Sequence, residues 1–165
     1  MNFLDDLLQN YMLVSAVVSW FLAQVIKTAL DAYLNHGISW ERLTGSGGMP
    51  SSHTSTVVAL TTAAALQYGL QSPAFAVSFI LASVVMYDAT GVRMETGKQA
   101  VLLNKILEDN PFNWKPEEFQ MKLKEYVGHT PLQVLMGAIL GIATAFWMRG
   151  FYWSAVRIVH GFRGA

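Results

Sequence analysis

Three stretches of this chain carry no Asp, Glu, Lys or Arg: residues 11–26, 54–87 and 126–148. No other feature limits the fold so strongly. A bilayer core needs about 20 mostly apolar residues per helix. The middle stretch is long enough for two such helices, and GLQSP at 69–73 supplies a turn between them. The pattern therefore predicts four spans, at about 11–30, 53–70, 73–91 and 131–149. Charged residues make up 13% of the chain, where a soluble domain has about 25%. A soluble all-α protein is the competing reading, but three uncharged blocks in 165 residues leave too little polar surface to cover them. The expected architecture is an all-α, polytopic helical membrane bundle. It has about four transmembrane helices with short interfacial helices and forms a single domain over residues 1–165.

The remaining bulk features narrow the classes further. The chain has no cysteine, which excludes disulfides and thiolate metal sites and leaves the redox compartment open. MNFLDDLLQN at the start has two Asp and no Lys or Arg, unlike the basic head of a secretory signal, so the first span is expected to be retained. No basic stripe with interleaved aromatics points to nucleic acid. Homo-oligomerisation is left open.

Four spans put the 31–52 and 91–130 segments on one face of the membrane. The N-terminus, the 69–73 turn and the C-terminal tail lie on the other. The first face carries Lys27, Arg42, Arg93, Lys98, Lys105, Lys115, Lys122 and Lys124, the second Arg149, Arg157 and Arg163. The positive-inside rule places the first face in the cytoplasm. Within residues 98–127, QAVLLNKIL has helical spacing. Pro116 with Glu117 and Glu118 reads as the start of a second short helix, its acids near the positive dipole end. These pieces are expected to cap the bundle, with no chemistry assigned to the two Glu.

Three polar constellations fall on the cation-rich face. The first is GSGGMPSSHT, residues 45–54. Glycines at 45, 47 and 48 permit backbone conformations in which successive N–H groups line an anion nest. Pro50 suits a helix start, Ser51 or Ser52 can cap it, and the dipole adds positive potential at the same place. His53 then falls in the first turn, beside any bound anion. The second is GHTPLQVLMGAILG, residues 128–141, where His129 precedes another helix start. Its Gly137 and Gly141 form a GxxxG for close helix packing. The third is YDATGVRMETGKQ, residues 87–99, with Asp88 at the edge of the apolar region and Arg93 five residues on. Lys27 ends the first span. It can reach the same place or snorkel to the interface.

Two imidazoles, fixed cations and a nest of N–H groups suit a phosphate. One imidazole attacks phosphorus, the other protonates the leaving oxygen, and the cations neutralise the equatorial oxygens. A zinc site fits poorly, because only two histidines are well placed and there is no HExxH spacing. No metal or cofactor is expected.

MPSSHTS resembles the PSGH motif of the type 2 phosphatidic acid phosphatase superfamily, which includes the vanadium-dependent haloperoxidases. GHTPLQVLMGAILG resembles its third motif. The run GGMPSSHT…YDATGVR…GHTP is similar to a divergent branch of small bacterial and plastid membrane proteins, over roughly residues 20–142. The resemblance implies that His129 forms a phosphohistidine and that His53 is the general acid. It assigns Arg93, Lys27 and Arg42 to the phosphate, alongside Gly48, Ser51 and Ser52. The family's Asp four residues after the nucleophilic His is Gln133 here, whose carbonyl can accept the same Nδ1–H bond. Asp88 is a second orienting candidate.

The function expected is a metal-independent phosphatase acting on a membrane lipid phosphate or prenyl (pyro)phosphate. The alternative is a non-catalytic membrane protein that binds or transports a phosphorylated lipid with the same pocket. A vanadate-dependent oxidase does not suit so small a membrane protein.

Overall fold

The computed structural model describes residues 3–35, 48–109, 123 and 128–161. Arg42, Gly45, Gly47 and the short helix expected after Pro116 lie outside these residues. The described elements are helices: α1 (Phe3–Leu8), α2 (Tyr11–Asn35), α3 (Ser52–Tyr68), α4 (Pro73–Thr90), α5 (Val92–Asp109) and α6 (Pro131–Gly161). No strand occurs among the described residues.

Local chemistry sets the helix ends. Ser51 caps α3, its side chain accepting from the Thr54 N–H. Gly69 stops that helix with φ 82°, and its N–H returns to the Ala65 carbonyl. Ser72 then caps α4, with Pro73 in the first turn, where a missing N–H costs nothing. The 69–73 turn therefore divides the long uncharged block as its composition predicts.

Three segments are long and apolar enough to cross a membrane: Tyr11–Leu34, Pro73–Asp109 and Pro131–Tyr152. The remaining expected span, α3, has 17 residues, about 26 Å at 1.5 Å per residue. It is the central helix, packed against α2, α4 and α6. A helix enclosed by others need not be apolar, which is why α3 tolerates its many Ser and Thr. This is an all-α membrane bundle built around a small, polar helix.

Packing is inverted relative to a water-soluble protein. Buried positions are mostly Ala, Ser and Thr, among them Ala23, Ala59, Ser19 and Ser55 at 0% exposure. Large apolar side chains such as Phe21, Val77, Ile80 and Trp147 point outward, as lipid-facing residues do. Small residues let backbones approach, and buried hydroxyls hydrogen-bond across helices, each bond worth about 0.6–2 kcal/mol. Ser19 and Ser55 donate to each other's backbone carbonyls at 3.1 Å, joining α2 to α3. Thr61 donates to the Ser78 carbonyl at 2.9 Å, joining α3 to α4. Tyr11 donates to the Ala145 carbonyl at 2.6 Å, joining α2 to α6. The GxxxG of α6 packs on α3. A Cβ on Gly137 would stand 2.6 Å from the Ser51 carbonyl oxygen, and one on Gly141 would stand 2.6 Å from that of Ser55.

Candidate active site

At one end of the bundle a cleft of about 90 Å³ is lined by His53, Val85, Asp88, Ala89, Arg93, Gly128 and His129. Four polar side chains from three separate sequence motifs thus converge. Their positions follow from helix ends. His53 is the second residue of α3, Asp88 lies in the last turn of α4, Arg93 in the first turn of α5, and His129 just before α6.

His129 is 4% exposed and held from both sides. Its backbone N–H donates to the Ala89 carbonyl at 3.0 Å, docking the 128–130 segment on the end of α4. Gly128, at φ 95°, makes this docking possible. A Cβ there would lie 2.5 Å from the Met94 nitrogen and 2.7 Å from the Arg93 carbonyl carbon. On its other side, the ring Nδ1 is 3.0 Å from Gln133 Oε1. The same oxygen accepts the Thr130 backbone N–H at 3.1 Å, and Thr130 Oγ1 accepts the Gln133 N–H at 3.4 Å. This reciprocal pair is a capping box. It also assigns the tautomer. The Thr130 N–H can only donate, so the carboxamide must turn its oxygen toward it. That oxygen then requires a proton on His129 Nδ1 and leaves the Nε2 lone pair free. Burial pushes the His129 pKa below its ordinary value, and positive charge at His53, Lys27 and Arg93 pushes the same way, against the Gln133 hydrogen bond. Both influences favour the neutral imidazole over the imidazolium.

Gln133 also reaches the other histidine's helix. Its backbone carbonyl accepts the Ser51 N–H at 3.0 Å. Ser51 and Ser52 are buried, and the Ser51 hydroxyl accepts from Thr54 Oγ1 at 3.0 Å. Both serines are thus built into the entrance of α3, and neither lines the cleft.

Among the cations, Arg93 lines the cleft and its Nε contacts Asp88 Oδ2 at 2.5 Å. Asp88 is therefore engaged by Arg93, while the oxygen at His129 Nδ1 comes from Gln133. Lys27 is 2% exposed, and its charge acts on both imidazoles. Its methylenes lie against Gly48, where a Cβ would come within 2.8 Å of Lys27 Cδ. Gly48, at φ 100°, thus makes room for the lysine stem. Lys98 is exposed and pairs with Glu95 at 2.7 Å. Arg42 lies outside the described residues.

Two features of the site escaped the sequence reading. The capping box was available, since Thr-x-x-Gln before an apolar run is its signature. The seating of Gly128 on Arg93 and Met94 joins residues more than thirty positions apart and leaves no local signal.

Such a bundle, with imidazole, carboxylate and guanidinium groups gathered together, defines an integral membrane protein with a polar cleft at one end of its helices. The chain belongs to the divergent PAP2 family, whose sequence model matches residues 8–144. It is 40% identical over 156 residues to the uncharacterized membrane protein YuiD of Bacillus subtilis (strain 168), covering 89% of this chain and 99% of that one. No solved structure matches the chain.

Proposed function

We propose that the protein is a metal-independent phosphatase for a membrane lipid phosphate or prenyl (pyro)phosphate, working through a phosphohistidine on His129. The observation that carries this reading is the anchored Nδ1 of His129, which leaves Nε2 as a neutral nucleophile in a cleft shared with His53 and Arg93. In the first step Nε2 attacks phosphorus, the bond to the ester oxygen breaks, and His53 gives that oxygen its proton. In the second step water attacks the phosphohistidine, His53 takes the water proton, and the P–N bond breaks to release phosphate. Arg93, with the charge of Lys27 nearby, offsets charge on the non-bridging oxygens.

The cleft wall supports a lipid substrate. Val85 lies one helical turn inward from Ala89 along α4, about 6 Å deeper. The polar end of the cleft therefore passes into an apolar wall on the side of the bilayer. Membership of a phosphatase-related family agrees with this reading. The cation-rich face is read as cytoplasmic.

A neutral Gln133 where a carboxylate would support an imidazolium favours, as second reading, a protein that binds phosphorylated lipid without turnover. Trapping separates the two. With radiolabelled substrate and a chelator present, the first reading expects an acid-labile, alkali-stable label on His129 that His129→Ala abolishes. His53→Ala should slow lipid phosphate hydrolysis strongly and an activated aryl phosphate much less, because a phenolate leaves without a proton. Label on Ser51, Ser52 or Asp88, or loss of activity with EDTA, would overturn the mechanism. Binding with no label at any time would favour the second reading.

A further inference from the structure

We infer that Asp88 is a positioning residue for phosphate: it aims the guanidinium of Arg93 into the cleft. This rests on the phosphate-handling reading of the site and assigns within it a role to a carboxylate that the two-histidine chemistry does not use.

The two residues are five apart in sequence. On a continuous helix that spacing turns side chains about 140° away from each other. They meet because the helix breaks between them. Gly91, with φ −102° and ψ −89°, ends α4, and α5 begins at Val92. The Asp88–Arg93 contact therefore spans the joint between two helices. Gly128 is seated on the same joint, where a Cβ would run into the Arg93 and Met94 backbone. Arg93 is thus fixed at its backbone by Gly128 and at its Nε by Asp88.

The chemistry of the contact matters. Asp88 Oδ2 takes Nε–H. A guanidinium has five N–H donors in a planar fork, and four of them are on the terminal nitrogens. Holding Nε sets the plane of the fork while leaving those four for two phosphoryl oxygens. The Arg93 side chain is 48% exposed and that of Asp88 37% exposed. Both line the cleft together with His53 and His129. An unanchored arginine would have to be ordered when the anion arrives. One already held by a carboxylate has lost that freedom beforehand, so phosphate binds more tightly.

The test compares wild type, Asp88→Ala, Asp88→Asn, Arg93→Ala and the Asp88→Ala/Arg93→Ala double variant of the full chain in detergent micelles. Two quantities are measured: binding of inorganic phosphate by calorimetry, and steady-state hydrolysis of a lipid phosphate. Asp88→Ala should weaken phosphate binding and raise KM by about tenfold, the order of one charge-assisted contact, with kcat changed far less. Asp88→Asn should recover part of the binding, because its carboxamide oxygen still accepts Nε–H. The double variant should bind no worse than Arg93→Ala, since the carboxylate acts only through the arginine. Equal or tighter phosphate binding by Asp88→Ala would overturn the inference and make Asp88 a competitor for Arg93. Additive losses in the double variant, or a fall in kcat at constant KM, would overturn it too. A wild type that neither binds phosphate nor hydrolyses the lipid would remove the phosphatase reading itself. A wild type that does either, with Asp88 variants unchanged, would remove this inference alone.

Discussion

The Ser51 N–H donates to the Gln133 carbonyl at 3.0 Å, tying the cap of the helix that carries His53 to the first turn of the helix that follows His129. The Gln133 side chain holds the His129 ring at the same time. One residue thus sets the spacing of both imidazoles through its main chain and the tautomer of one through its side chain.

Replacing Gln133 should separate these roles. Gln133→Leu keeps the carbonyl bond to Ser51 but loses the capping box and the acceptor for Nδ1–H. Stability should fall by about 1 kcal/mol. Activity should fall further, on the order of 10²-fold, because both tautomers become available. Gln133→Glu keeps an oxygen in reach of both donors and should retain activity. Thermal unfolding and steady-state rates on the two variants decide. An active Leu variant would show that the backbone contacts of His129 alone set its ring.

The state of His129 has a direct readout. Burial, reinforced by nearby positive charge, lowers its pKa, so the neutral form persists below the usual 6.5 and is lost only as pH falls through the lowered value. Histidine-labelled protein followed by NMR should show the His129 resonance titrating below 6.5. In Gln133→Glu the midpoint should rise, since a carboxylate at Nδ1 favours the imidazolium. A wild-type midpoint above 6.5 would contradict the neutral nucleophile.

Three glycines should be intolerant and a fourth indifferent. Alanine at Gly128, Gly137 or Gly141 places a Cβ about 2.5–2.6 Å from a backbone atom, an overpacking that costs roughly 1–3 kcal/mol. Gly128→Ala should also displace His129 and lower activity. Gly150 has nothing within 4 Å of a new Cβ, so Gly150→Ala should be neutral or stabilise by up to about 1 kcal/mol. Melting temperatures in one detergent give the comparison. Effects at Gly137 and Gly141 no larger than at Gly150 would refute the close packing of α3 on α6.

Sidedness can be read by labelling. Cysteines introduced by Ser46→Cys and Asn113→Cys should react with an impermeant reagent from the same side of the membrane. Gln71→Cys, in the turn between α3 and α4, should react from the opposite side. The cytoplasmic placement further requires that positions 46 and 113 be protected in intact cells.

Much of this arrangement is legible in the sequence because charge is costly in a bilayer. The uncharged blocks mark α2, α3, α4 and α6 with ends within a few residues, except that α2 runs on to Asn35 and α6 to Gly161. Each extension lies beyond a charge that closes its uncharged block, Lys27 for α2 and Arg149 for α6, and a charged residue ends an apolar pattern without ending a helix. His53 in a first turn follows from Ser51 and the glycines before it. The Asp88–Arg93 contact is not legible in this way. Read as one continuous helix, residues 88 and 93 diverge, and only the backbone of Gly91 brings them together. Gly48 is legible as a residue of unusual conformation, but the Lys27 stem that occupies its vacant side lies in another helix.

The small-residue interior has a thermodynamic corollary. When these helices separate within a lipid or detergent phase, the faces that part are alanine, serine, threonine and glycine, and they pass to hydrocarbon with little new contact with water. Heat-capacity changes and urea sensitivity both scale with surface newly exposed to water. Unfolding should therefore show a small heat-capacity increment and a shallow dependence on urea for a chain of this length. Its cooperativity would come from hydroxyl-to-carbonyl bonds breaking together along α3.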